Sequence, residues 1–173
     1  MDIILSSISQ GLLWSVMAIG VYLTFRILDI ADMTAEGSYP LGAAVCATGI
    51  VNGLNPLLAT FLAMIAGMGA GLISGLLHTK LKIPALLTGI VTLTGLYSIN
   101  LKILGKANVA LLKQETLVTQ LQDFGLAKTN AVLVIGIIFV LAVVGVLTLL
   151  LNTQIGLAIR STGDNIPMSE ANG

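Results

Sequence analysis

Charge is what this chain has least of. Only 9% of its 173 residues are charged, with 8 basic side chains against 8 acidic ones, so the formal net charge is zero. A neutral chain offers no basic footprint for nucleic acid. Cysteine is nearly absent. Cys46 stands alone, which excludes an intrachain disulfide and any cysteine-rich metal cluster and leaves it as a small apolar filler. A P-loop is missing too. The one Gly-Lys pair, Gly105-Lys106, is followed by Ala107, where a Ser or Thr would have to meet Mg²⁺. This chain is not expected to hydrolyse nucleotide by itself, and no catalytic residue, cofactor or metal is assigned to it.

What fills the space is apolar. Hydrophobic residues make up 56% of the chain, and mean hydropathy is +1.01. A soluble domain of this size is nearer half apolar and a quarter charged. Water cannot cover so much apolar surface, so the solvent is lipid. Nineteen glycines against four prolines fit membrane helices, where small residues let backbones approach. The fold class expected is an all-α polytopic bundle of about five transmembrane helices.

A bilayer core is about 30 Å thick and takes roughly 20 apolar residues per helix. The first span expected is Ile3 to Phe25. Its only early charge is Asp2, and Arg26 follows the apolar run, so it reads as a retained span and not as a secretory signal. The second runs from about Tyr39 to Val51 and is short or broken. Asn52 to Pro56 makes a turn, since Asn-Gly and Asn-Pro both interrupt regular structure. The third span is Leu57 to Leu77, closed by His78, Lys80 and Lys82. The fourth is Ile83 to about Tyr97, with Ser98 to Asn100 fraying its end. Leu101 to Asn130 is too polar to span. The fifth span is Ala131 to Leu151, and a polar tail follows.

Basic residues in short loops mark the cytoplasmic side. Lys80 and Lys82 put the loop after the third span inside, and Arg160 puts the tail on that same side. The N-terminus and the 101–130 segment are then outside. That outer segment holds Lys102, Lys106, Lys113 and Lys128, but longer loops weigh less in the rule, and Glu115 and Asp123 lie there too.

Two patterns concern packing and chemistry. Ala63, Gly67, Gly71 and Gly75 recur every four residues, a small-xxx-small face for close helix contact. Its partner is either another helix of this chain or a second subunit. Ser74 and His78, four apart, have the spacing of a nucleophile and its base. No carboxylate is placed to orient the imidazole, and an interfacial histidine beside two lysines is the better reading.

The acids are concentrated. Between Arg26 and Glu36 stand Asp29, Asp32 and Glu36. At helical spacing these fall near one face, so an acid-striped helix is expected, broken at Gly37 to Pro40. A charge at mid-bilayer costs about 2.5–3.5 kcal/mol, so three facing lipid would cost on the order of 8–10 kcal/mol. They therefore face the interface, a watery cavity or a buried network. Three readings follow: a solvated connection, a broken helix at a transport pathway, or a metal-dependent membrane enzyme. Asp29-x-x-Asp32 is part of the phosphatidyl-alcohol transferase motif, but the Ala-Arg and the two further aspartates that motif needs are missing.

The tail supplies a resemblance. "GLAIRSTGDNIPMSEANG", Gly156 to Gly173, resembles the cytoplasmic coupling loop of ABC importer permeases of the branched-chain amino acid and ribose class. There a segment like G-x-x-x-R-A-x-G-x-N-x-x-x-A-x-x-x-G follows a long span. Gly156, Arg160, Gly163 and Asn165 match it, Ser161 stands where alanine is usual, and Ser169 to Gly173 looks like the start of its ending. "FRILDIADMTAEGSYPLGAAV" resembles the segment after the first span of such permeases, most closely those of an aromatic-amino-acid subgroup that works with a lipoprotein binding protein.

The resemblance implies one multi-pass permease domain over residues 1–173 in a bacterial inner membrane, with 152–173 as its cytoplasmic coupling segment. The partners it implies are a cytoplasmic ABC ATPase, an extracellular or periplasmic solute-binding protein and a second permease copy, all in membrane lipid. Gly156, Arg160, Gly163, Asp164 and Asn165 would couple to the ATPase. Asp29, Asp32 and Glu36 would lie near the pathway or hold the fold together. Asp164 or Asn165 would cap a short helix from Ile166 to about Ala171, with Pro167 in its first turn and Ile166, Met168 and Ala171 as an apolar knob. Such permeases run on for several more spans, so this chain is expected to be truncated after the coupling loop. The rival reading is an ion-coupled secondary carrier, or another polytopic membrane protein, that uses the acids as proton or cation sites.

Overall fold

The computed structural model describes residues 2–106, 109–111, 114–123, 125 and 127–171, without the side chains of Asp2, Asp123, Ile166 and Glu170. Lys113, Asn172 and Gly173, which figure in the expectations above, lie outside the described residues. The fold is all-α, with no strand among the described residues. In chain order the helices are α1 (Asp2–Tyr22), a π-helical turn (Leu23–Ile27), α2 (Thr34–Val51), α3 (Pro56–Leu81), α4 (Ala85–Leu104), α5 (Leu117–Asp123), α6 (Lys128–Leu151), α7 (Gln154–Asp164) and α8 (Ile166–Ala171).

Among the described residues, four stretches are long and apolar enough to cross a membrane: Ile3–Ile27, Pro56–Leu81, Ala85–Leu104 and Lys128–Leu151. Their large apolar side chains point outward, as with Leu72 at 67% exposed and Leu149 at 73%. That is the arrangement lipid requires, because every backbone group is satisfied within its helix and the apolar surface faces hydrocarbon. The chain is a multi-pass membrane protein. α2 is not one of the four, and it differs from the short or broken segment expected from Tyr39, since it begins at Thr34 and runs unbroken for 18 residues.

The helix boundaries follow local chemistry. α3 begins where the Asn55 side chain accepts from the Leu57 amide at 3.0 Å and Pro56 fills the first position. The turn before it closes on Gly53 at φ +84°. α4 does not fray at Ser98 to Asn100 as expected. It runs on to Leu104 and stops at Gly105, φ +61°, whose amide bonds the Leu101 carbonyl. Asn100 is buried and helical. The left-handed glycine ends this helix, and the polar residues before it do not. Among the described residues between α4 and α6, the helix is the seven-residue α5, too short to span.

The chain divides into two compact units, Asp32–Lys128 and Met1–Ala31 with Thr129–Gly173. In the first, α2 packs on both α3 and α4. Leu41, Ala70 and Leu96 form its core, with Val45, Ala66 and Ile103 against them. Close approach depends on glycines of α2. A Cβ on Gly37 would meet the Leu93 Cα at 3.1 Å, and one on Gly49 the Ala59 Cβ at 3.3 Å.

The stripe expected to pack on α3 is only partly used. Ala63 lies beside Gly42, whose Cβ would stand 3.6 Å from the Ala63 carbonyl oxygen. A Cβ on Gly67, Gly71 or Gly75 would meet nothing within 4 Å. The face of α3 that packs in this unit instead carries Ala59, Ala70 and Ser74, all buried. One residue along a helix is about 100° around it, since 3.6 residues make a turn. Ala70 and Ser74 therefore point well away from Gly71 and Gly75.

In the second unit a Cβ on Gly136 of α6 would meet the Leu12 Cβ of α1 at 3.2 Å. Small residues again set the approach of two apolar helices.

Candidate functional site

The acids do not form a stripe. α1 loosens at its end, and residues 28–33 lie outside any helix. Periodicity is lost across that gap, so Arg26, Asp29, Asp32 and Glu36 share no helix face. Asp29 is exposed, with a left-handed backbone at φ +53°. Glu36 is exposed in the first turn of α2, where a carboxylate complements the positive end of the helix. The expected break at Gly37 to Pro40 is absent. α2 runs through all four residues. Pro40 denies a donor only to the Glu36 carbonyl, near the start of the helix. The disruption stays local, and Gly37 is occupied with packing on α4.

Asp32 is the acid with a defined task. Its Oδ1 accepts from the Thr34 amide at 2.9 Å and from the Thr34 hydroxyl at 2.5 Å. Thr34 Oγ1 is also 2.7 Å from Ser74 Oγ on α3. The donors can be assigned. Thr34 has one hydroxyl proton, which goes to the carboxylate, so Ser74 donates to Thr34. Thr34 and Ser74 are both buried, at 4% and 3% exposed. α4 closes over this chain of bonds. A Cβ on Gly89 would stand 2.7 Å from the Met33 nitrogen and 3.0 Å from Asp32 Oδ1. The start of α2 is thus tied to α3 by hydroxyls and covered by a bare stretch of α4.

Sequence reasoning missed Thr34 and Gly89 and gave Ser74 no role once the pairing with His78 was set aside. The Ser74–His78 pair does not form. His78 Nδ1 lies 2.8 Å from the Ile83 carbonyl, to which it must donate, and the buried Thr88 hydroxyl also reaches that carbonyl. His78 therefore closes the α3–α4 turn. The usable signal for Gly89 was a glycine set between threonines in a four-residue rhythm, Thr88 and Thr92, since small and hydroxyl residues mark membrane-helix contacts.

The tail is a helical hairpin. Thr153 caps α7 by accepting from the Gly156 amide. Asn165, extended, separates α7 from α8, and its Oδ1 accepts from the Met168 amide at 3.1 Å. Ser169 Oγ lies 3.2 Å from Ser161 Oγ and 3.4 Å from Thr162 Oγ1, which folds α8 back on α7. Gly156 is buried and Gly163 half-buried, while Arg160, Asp164 and Asn165 are exposed. Ile155 (70% exposed), Leu157 (59%) and Met168 (63%) form the apolar part of this surface. Of the knob expected on α8, Met168 and Ala171 are exposed, and the Ile166 side chain lies outside the description. The sequence reading gave only a polar stretch before that helix; there the chain forms α7, behind its Thr153 N-cap.

These features are those of a multi-pass membrane protein built of helices, and comparison with known proteins supplies its family. Residues 3–173 match the family described as branched-chain amino acid transport system, permease component, and the chain belongs to it. It is 41% identical over 170 residues to the tyrosine transport system permease protein of Clostridioides difficile (strain R20291), covering 98% of this chain and 55% of that one. It is 34% identical over 165 residues to an uncharacterised protein of Rickettsia prowazekii (strain Madrid E), covering 95% and 56%. The chain thus spans about half the length of the curated relatives it matches. No solved structure matches it.

Proposed function

We propose that this chain serves as a permease component of an ATP-driven importer of a small solute of the amino acid class. Its spans would line the route across the inner membrane, and its tail would dock on a separate ATPase. A solute-binding protein outside would deliver the solute, and a second permease copy would complete the route. No bond is made or broken on this chain in that cycle.

The observation that carries the reading is the α7–α8 hairpin. It presents Arg160 and the apolar Ile155, Leu157 and Met168 to solvent, within a chain of the permease family. Exposed apolar side chains on a hairpin that also carries an exposed arginine are a composition protein partners favour. Support for the solute class comes from the relative described as a tyrosine transport system permease. Asp164 and Asn165 would shape the turn between the helices, and Gly156 and Gly163 would seat α7.

The test is co-purification from membranes with an ATPase carrying Walker motifs, together with tyrosine uptake in vesicles supplied with ATP. Arg160→Glu should weaken recovery of the ATPase by about tenfold, since reversing an interfacial charge turns attraction into repulsion. Uptake that needs a proton gradient and no ATPase would refute the reading in favour of an ion-coupled carrier.

A further inference from the structure

α7 carries two glycines seven residues apart, Gly156 and Gly163. Seven residues fall within about 20° of two full turns, so both lie on one face. Each marks a place where backbone meets backbone. A Cβ on Gly156 would run into the Leu151 Cα and the Leu150 carbonyl oxygen at the end of α6. One on Gly163 would run into the Ile27 carbonyl oxygen, and would stand 2.9 Å from the Ile27 carbonyl carbon and 3.2 Å from the Leu28 Cα. Neither place has a flexible side chain that could move aside. α7 is therefore seated on the end of α6 by one glycine and on the end of the first span by the other.

The segment beneath Gly163 is the loosest turn of that span. The Leu28 amide bonds the Leu23 carbonyl at 3.0 Å, five residues back, and the Ile30 amide bonds the Thr24 carbonyl at 2.9 Å, six residues back. The helix widens stepwise before it stops. Such π turns hold the backbone in a less common hydrogen-bond pattern and occur often at functional sites.

We infer that α7 is a strut between the ends of α1 and α6, that Gly156 and Gly163 are its positioning residues, and that a push on α7 is delivered to the π turn at Leu23–Ile27, the flexing element of the transport cycle. The inference rests on the proposed docking of an ATPase on the tail. The glycine contacts make the strut direct. Displacement of α7 moves the Ile27 carbonyl with no side chain in between to absorb it.

The test is amide hydrogen exchange on the transporter assembled with its ATPase in nanodiscs, without nucleotide and with a non-hydrolysable ATP analogue. Protection at Leu28 and Ile30 should change by about tenfold on nucleotide binding, with the interior of α6 unchanged. Gly163→Ala, which sets a methyl group against the Ile27 carbonyl, should lose the nucleotide response at those two amides and lower uptake by about tenfold. Gly145→Ala, where a Cβ meets nothing within 4 Å, should behave as the unaltered protein. Normal uptake by Gly163→Ala would overturn the inference. So would a transporting assembly whose Leu28 and Ile30 amides ignore nucleotide, a measurement that holds even if the variant fails to fold. A chain that assembles with no ATPase would overturn the permease reading itself, a distinct outcome.

Discussion

Gly89 of α4 lies so close to Asp32 that a side chain there would stand 3.0 Å from the carboxylate oxygen and 2.7 Å from the next backbone nitrogen. That approach lets α4 cover the hydrogen-bonded start of α2. Gly89→Ala should therefore destabilise the protein, even though alanine is the better helix former by about 1 kcal/mol. Overpacking against backbone costs typically 1–3 kcal/mol, so the net loss expected is on the order of 1–2 kcal/mol. Thermal unfolding in detergent measures it. Gly95→Ala on the same helix, with nothing within 4 Å, is the comparison and should not lose stability.

The three acids should separate by side-chain chemistry. Asp32→Asn keeps an oxygen to accept from the Thr34 amide and should retain most stability. Asp32→Ala removes the acceptor and should cost about 0.5–2 kcal/mol, as loss of a helix-start cap does. Glu36→Gln and Asp29→Asn lie at exposed positions and should stay within about 0.5 kcal/mol of the parent. Unfolding curves for the four variants decide this. Solute uptake is the second readout. Any that keep stability and lose uptake act on the pathway, and any that keep both are scaffold.

How much of this was legible beforehand varies with the range of the interaction. The Asn55–Pro56 start of α3 and the Asn165-capped α8 were readable because cap, proline and helix are neighbours in the chain. The acid stripe was misread because counting by turns assumes a continuous helix, and residues 28–33 lie outside any helix. Pro40 looked like a breaker, since the chain alone does not say that Glu36, the carbonyl it deprives, lies near a helix start. The Asp32–Thr34–Ser74 chain joins residues 40 apart, and no local pattern announces such a partner. The glycine stripe on α3 could be seen, but smallness on a face does not name what packs there.

That stripe makes a prediction of its own. Gly67, Gly71 and Gly75 are open within this chain, so alanine at each should leave the isolated chain as stable or more so, by up to about 1 kcal/mol per site. A second subunit, the other partner its spacing allows, would lie against it. Gly71→Leu should then leave unfolding in detergent unchanged and reduce the dimer fraction in cross-linking by about tenfold. A dimer indifferent to leucine there would place the subunit contact elsewhere.

α2 decides the topology. Its 18 residues reach about 27 Å, just short of the roughly 30 Å core. If α2 crosses, the crossings number five and the chain ends lie on opposite sides. If it does not, the four remaining spans return both ends to one side, and every loop after α2 is inverted. The lysines favour five crossings, since Lys80 and Lys82 then share the cytoplasmic side with Arg160. Single cysteines settle the matter in a Cys46→Ala background, introduced at Asn55, Lys82, Gln114 and Ser169. An impermeant maleimide added to intact cells should label the cysteines at Asn55 and Gln114 and spare those at Lys82 and Ser169 until the membrane is opened. Labelling of the Lys82 and Ser169 positions from outside, with Asn55 protected, would mean that α2 turns back within the membrane and that the tail cannot meet a cytoplasmic ATPase.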